Sequence, residues 1–157
     1  MSTLFGTKAL ESAPVEVDGS IPADAKFTEL CKTYRNSVEF VDDDPNVQDE
    51  FSDQDDDPIE SLVEPGATNG KFSTFQFDTA TLQKLFPTGT VVDSAFTFGK
   101  NLGFVTALRF KTDSGHQITY PKVKVIAKKN LKLVRNGIAL IDCTVKVLSQ
   151  PQLKKLP

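Results

Sequence analysis

The sequence predicts a mainly β protein: a two-sheet antiparallel β-sandwich or barrel, with one short flanking helix at about 79–86 and a long acidic hairpin or flap. Three observations carry this expectation. Apolar residues alternate with polar ones along several runs bounded by turn residues, the signature of half-buried strands. Only one stretch, with Leu82, Leu85 and Phe86 at helical spacing, departs from that pattern. Finally, Asp42–Glu64 holds eleven carboxylates in its twenty-three residues, and no Lys or Arg occurs between Arg35 and Lys71. Such a run repels itself and resists packing into a core.

Residues 1–24 mix small, polar and proline residues and read as an extended arm with a short strand at Val15–Val17. A single sandwich domain follows over 25–150, and 151–157 (PQLKKLP) forms a short, unpacked tail. Within the domain, Lys26–Val41 is rich in β-formers, and Arg35-Asn36-Ser37 marks a bend. Val47, Phe51, Ile59, Leu62 and Val63 punctuate the acidic stretch at strand-like intervals, so it is predicted as a hairpin rather than a disordered tail. Pro45, Pro58 and Pro65 bar it from the centre of a sheet. Asn69-Gly70 is a turn signal before the strand Lys71–Phe77. Asp78 caps the helix, which Pro87 and Gly89 end.

Strands are then expected in Val91–Gly99, in Phe104–Lys111 and, after the turn Asp113-Ser114-Gly115, in Gln117–Tyr120. The last pair runs from Lys122–Val134 through Asn136-Gly137 into Ile138–Leu148, where Ala139, Ile141, Cys143, Val145 and Val147 share one face. Asn-Gly between two such runs is a strong hairpin signal. Cys143 on that apolar face reads as a buried free thiol.

Charge is divided along the chain. Residues 1–64 carry 17 acidic and 4 basic side chains, whereas 65–157 carry 4 acidic and 14 basic ones. The overall balance of −3 hides this split. The acidic candidates are Asp42, Asp43, Asp44, Asp49, Glu50, Asp53, Asp55, Asp56 and Asp57. Their complement is Lys122, Lys124, Lys128, Lys129, Lys132 and Arg135 on the last hairpin. That basic hairpin has three readings: a nucleic-acid groove, a solvated β face, or a surface for the acidic stretch of a neighbouring copy. Aromatic residues for base stacking are missing around it, Tyr120 excepted.

Catalytic and metal chemistry find little support. Asp53, Asp55, Asp57 and Glu64 have the spacing of a calcium loop, but Pro58 replaces the glycine that its sharp turn needs and Glu60 replaces an apolar residue. Weak cation condensation is the expectation there, with no specific metal. His116, the single histidine, falls in a tight turn and reads as solvated. With no second histidine and no nucleophile motif, no enzyme activity and no cofactor are expected. The first seventeen residues lack a signal-peptide core, and no apolar run approaches the ~18 residues of a membrane span. A soluble chain made in the cytosol is expected.

The order of segments resembles a known family. TYRNSVEFV leads into the acidic DDDPNVQDEF and DDDPIESL arms, then KFSTFQF, then the helix DTATLQKLF with PTGT behind it. The lysine-rich hairpin around Asn136-Gly137 and the strand IALIDCTVKVLSQP close the pattern. Over about residues 26–150 this resembles the major tail tube proteins of long-tailed bacteriophages. The resemblance implies a two-sheet β subunit with a flanking helix that forms hexameric rings, inner strands joining into one barrel. Rings would stack into a hollow tube that carries viral DNA without binding it specifically. Loops and terminal arms would bind adjacent rings around a commonly acidic lumen. It also implies a virion location after synthesis in the host cytoplasm, contacts with a tape measure and other tail proteins, and no membrane. Another phage ring protein, such as a tail terminator or head-tail joining protein, and a calcium-binding β module are the alternatives.

Overall fold

The computed structural model describes residues 2–157. In chain order the strands are β1 (Ala9–Ala13), β2 (Thr28–Glu29), β3 (Glu39–Asp42), β4 (Asn46–Phe51), β5 (Pro58–Glu64) and β6 (Thr68–Thr74). Helix α1 (Thr79–Leu85) precedes β7 (Thr90–Val92), β8 (Ala95–Thr97), β9 (Phe104–Lys111), β10 (His116–Asn130), β11 (Leu140–Val147) and β12 (Gln152–Lys155). The protein is mainly β, with antiparallel sheets and a single α-helix among the described residues, as expected.

Eight strands form one sheet in the order β2-β1-β9-β10-β11-β6-β3, with β12 also paired to β10. The long strand β10 explains how one edge serves two neighbours. Its first half, His116–Thr119, pairs with β12, and its second half, Val123–Asn130, pairs with β11. Between them the register against β9 shifts at Tyr120/Val123. Pro121 lies in that break, where its missing N–H disrupts no ladder bond.

The sheet curls over on itself to make the sandwich. Strands β10, β11 and β6 separate β9 from β3, so a flat sheet would hold these two about 19 Å apart. Instead the ring of Phe40 on β3 meets that of Phe110 on β9 with centroids 5.1 Å apart. Alternation fills the enclosed space. Val123, Val125, Ala127, Ile141 and Val145 are fully buried, with Phe72, Leu108 and Leu10 beside them. Segment 30–34 laces the two ends of the sheet together: Leu30 N–H donates to the Leu10 carbonyl, and Tyr34 N–H to the Ser73 carbonyl. Helix α1 covers part of the core with Leu82 and Leu85. As predicted, the Asp78 carboxylate accepts from the Thr81 N–H, at 3.1 Å.

Several boundaries differ from expectation. The first arm contributes β1 rather than a strand at Val15–Val17: Leu10 and Ala13 have a core to face, Pro14 ends the pairing, and Val17 is fully exposed. The tail 151–157 is not free, since β12 fills the edge of β10 that β11 leaves open; backbone pairing needs no apolar sequence. Asn69-Gly70 is no turn but lies inside β6, where an added Cβ on Gly70 would come within 2.3 Å of the Phe40 ring. Val91–Gly99 holds a hairpin, β7–β8, whose Asp93 and Ser94 both take positive φ. The final hairpin exists, but Asn136-Gly137 sits in a longer loop, 131–139, because pairing ends at Asn130 and Leu140.

Candidate functional site

The acidic stretch forms a separate two-stranded hairpin, β4–β5. Its register pairs Val47 with Val63 and Asp49 with Ser61, and the prolines stand at its ends as strand-breakers should. At the base, Asp43 N–H donates to the Ala67 carbonyl at 2.8 Å, and the Asn69 amide donates to the Asp43 carboxylate at 3.0 Å. Gly66 is required there, since a Cβ would lie 2.1 Å from the Asp43 carbonyl oxygen. Among the described residues the hairpin's main contacts are between its own two strands, and both strands are exposed along their whole length.

The predicted acids therefore divide by position. Asp42 ends β3, Asp43 and Asp44 sit in the base, Asp49 and Glu50 lie on β4, and Asp53, Asp55, Asp56 and Asp57 occupy the tip. Among the described residues, none of these carboxylates forms a salt bridge. The calcium-loop spacing does not become a site. Asp53, Asp55 and Asp57 are at the tip, whereas Glu64 pairs with Asn46 at the far end of the stem, about 20 Å along the strand. Among the described residues no three His, Cys, Asp or Glu side chains group as a metal site.

The basic candidates separate into a sheet face and a loop. Lys122, Lys124 and Lys128 alternate with the buried Val123, Val125 and Ala127 and project from the outer face of β10. Lys132 and Arg135 lie in the exposed loop 131–139. Lys129 turns aside, its ammonium 4.0 Å from the centroid of Phe98. Two lysines that sequence reasoning did not assign join the face. Lys146 on β11 lies directly opposite Lys124, and Lys71 on β6 lies opposite Thr144. The alternation of Lys146 with Cys143 and Val145 already marks it as outward, but only the pairing register brings it to Lys124.

This face is poorly neutralised from within. Like charges directly opposite in an antiparallel pair are unfavourable, so Lys124 and Lys146 oppose the ladder that holds them. Asp142, opposite Lys128, is engaged elsewhere: it accepts from Ser73 Oγ at 2.6 Å and from the Asn130 amide at 3.2 Å. Among the described residues, Lys71 alone of these lysines has a carboxylate partner, Glu39 at 3.1 Å, and that pair is exposed.

His116 is not in a solvated turn. It begins β10, is buried, and its ring nitrogens meet Ser2 Oγ at 3.0 Å and Ser114 Oγ at 3.3 Å. Leu156 N–H donates to the neighbouring Gly115 carbonyl, so both ends of the described chain converge on this turn.

No family model matches the chain, and neither does any curated protein. Among solved structures, one similar chain belongs to the tail of an empty GTA particle computed with helical refinement in C6 symmetry. The two share 9% identity and a TM-score of 0.46, over 93% of this chain and 94% of that one.

Proposed function

We propose that this chain is a structural subunit of a phage-type tail, self-assembling into stacked hexameric rings that form a tube for DNA. One observation carries the reading. The molecule holds an acidic hairpin that forms no salt bridge and a lysine surface on which Lys71 alone is paired to a carboxylate, and among the described residues no salt bridge joins the two. A surface that matches a different surface on the next copy gives a heterologous contact, and such contacts repeat into rings or filaments. Opposed fields would also steer the subunits together. The ring number of six and the stacking rest on the resemblance to tail tube proteins stated above.

In this reading the hairpin Asp42–Glu64 of one subunit reaches the Lys122–Arg135 region of another. Carboxylates left facing the channel would repel phosphates and let DNA slide, whereas many lysine contacts would hold it. The protein would need no cofactor and perform no catalysis. Its partners would be its own copies, a tape measure and other tail components, and it would reside in the virion.

Negative-stain microscopy and sedimentation of the purified chain test this. Tubes or stacked rings are expected at high protein concentration. A chain that stays monomeric rejects the proposal, and rings that never polymerise point to a terminator or joining role. Charge-steered stacking should weaken toward molar salt, where the Debye length falls to about 3 Å.

A further inference from the structure

We infer that the acidic hairpin seats on a second copy of this chain through the apolar face of its stem, leaving its opposite, acidic face in solvent. The inference rests on the polymer reading above and says which side of the hairpin makes the contact.

The register separates the two faces. Val47 lies opposite Val63, with Asp49 opposite Ser61 on the same side, and alternation along each strand carries that side on to Phe51 and Ile59 at the bulge, where Phe51 pairs with Pro58 and Ile59 is the extra residue. The other side carries Gln48 opposite Leu62 and Glu50 opposite Glu60, with Glu64 at the end. Nothing in the subunit covers the apolar side: Val47 is 53% exposed, Phe51 59%, Ile59 66% and Val63 60%. An isolated two-stranded hairpin is marginal in water, and the facing pair Glu50/Glu60 weakens it further. A covering surface is what this stem lacks.

Charge and hydropathy point to the loop 131–139 of another copy as that cover. There Leu131, Leu133 and Val134 are 57%, 84% and 48% exposed, and they alternate with Lys132 and Arg135. Apolar side chains interleaved with cations complement an apolar strip that carries Asp49 and ends in the aspartate-rich tip. Among the described residues no salt bridge joins these two elements within one molecule.

The test compares two double variants with the unsubstituted chain by sedimentation and microscopy. Val47→Thr with Val63→Thr keeps β-branching and side-chain volume, so the hairpin still forms while its apolar face becomes polar. Glu50→Gln with Glu60→Gln alters only the opposite face. The valine variant is expected to raise the concentration needed for assembly about tenfold or more, and the glutamate variant to leave it within about twofold. Circular dichroism and melting verify that each variant is folded. If the valine variant assembles like the parent, or the glutamate variant fails to assemble, the inference falls while the tail reading stands. A parent chain that never assembles overturns both.

Contact with the loop is read separately by mixing a Ser61→Cys protein with a Leu133→Cys protein under mild oxidation. A mixed dimer is expected. Its absence in assembled material overturns the loop as the seat.

Discussion

The ring of Phe40 stacks on that of Tyr120, with centroids 4.9 Å apart and an interplanar angle of 19°. Phe40 is on the last strand of the sheet and Tyr120 on a central one, so this contact fastens the curl that makes one sheet into two layers. Phe110 completes the cluster edge-on, and Gly70 leaves room for the Phe40 ring.

Adding a methyl group at Gly70 should therefore loosen the closure. Gly70→Ala puts a Cβ where the Phe40 ring stands, and overpacking of this kind costs about 1–3 kcal/mol. Phe40→Ala removes the half-buried ring itself and should cost about 2 kcal/mol, below the range for a fully buried phenylalanine. Urea unfolding followed by circular dichroism measures both. If Gly70→Ala matches the parent, the ring moves aside freely and the cluster does not hold the layers.

A second test concerns the outer face of β1 and β9. Arg109 is buried there, bonded to Glu11 at 3.0 Å and to Asp24 at 2.8 Å, with its guanidinium 4.1 Å from the Phe27 centroid. Burial raises the Glu11 pKa, but hydrogen bonds and charge from Arg109 and Lys111 outweigh it and hold the carboxyl below its usual range. A lowered folded-state pKa gives stability that is present above the unfolded value and is lost as pH falls through the folded one. Melting temperature should drop below about pH 4, and less steeply in Glu11→Gln. Arg109→Met should cost about 2 kcal/mol, short of the cost of a wholly unpaired buried charge because Lys111 still pairs with Glu11 at 3.2 Å, and Arg109→Met with Glu11→Leu should recover part of it.

The thiols give a third expectation. Burial pushes Cys31 up to about 11 and Cys143 higher still, so neither forms appreciable thiolate near neutrality. The folded protein should leave both cysteines unmodified by a thiol reagent at pH 8, and both should react on unfolding. Rapid labelling of either in the native state would show that the core opens locally.

What the sequence disclosed follows the range of the forces involved. Alternation around Ile141, Cys143 and Val145 and the spacing of Leu82 and Leu85 under the Asp78 cap are local signals, and both elements formed where expected. The acidic hairpin was legible because proline and self-repulsion keep Asn46–Glu64 out of the core. Long-range pairing was not legible. Gly70 resembles a turn residue until Phe40 is known to cross it, and Gln152–Lys155 lacks apolar pattern because backbone alone holds it to β10. Lys146 joined the lysine face only through its register with Lys124. The calcium spacing of Asp53 and Glu64, already weakened in the sequence by Pro58 and Glu60, shows the converse: residues near in sequence became the two ends of an extended strand.

The separateness of the hairpin gives the last prediction. Residues 46–64 contribute no buried side chain, and their flanks already touch where Gly66 packs on the Asp43 carbonyl. Replacing 46–64 by a short glycine-rich turn closes a gap that is almost closed, so little loop entropy is at stake. The shortened subunit should unfold within about 0.5 kcal/mol of the parent, as expected for changes remote from the core. It should nevertheless fail to form tubes at any concentration at which the parent does. A marked loss of stability would mean that the hairpin supports its own subunit, because only a stem in contact with the body could transmit that loss. Unimpaired assembly would mean that neighbouring copies hold one another elsewhere. A stable, monodisperse, non-polymerising subunit is the outcome that assigns the hairpin to assembly alone.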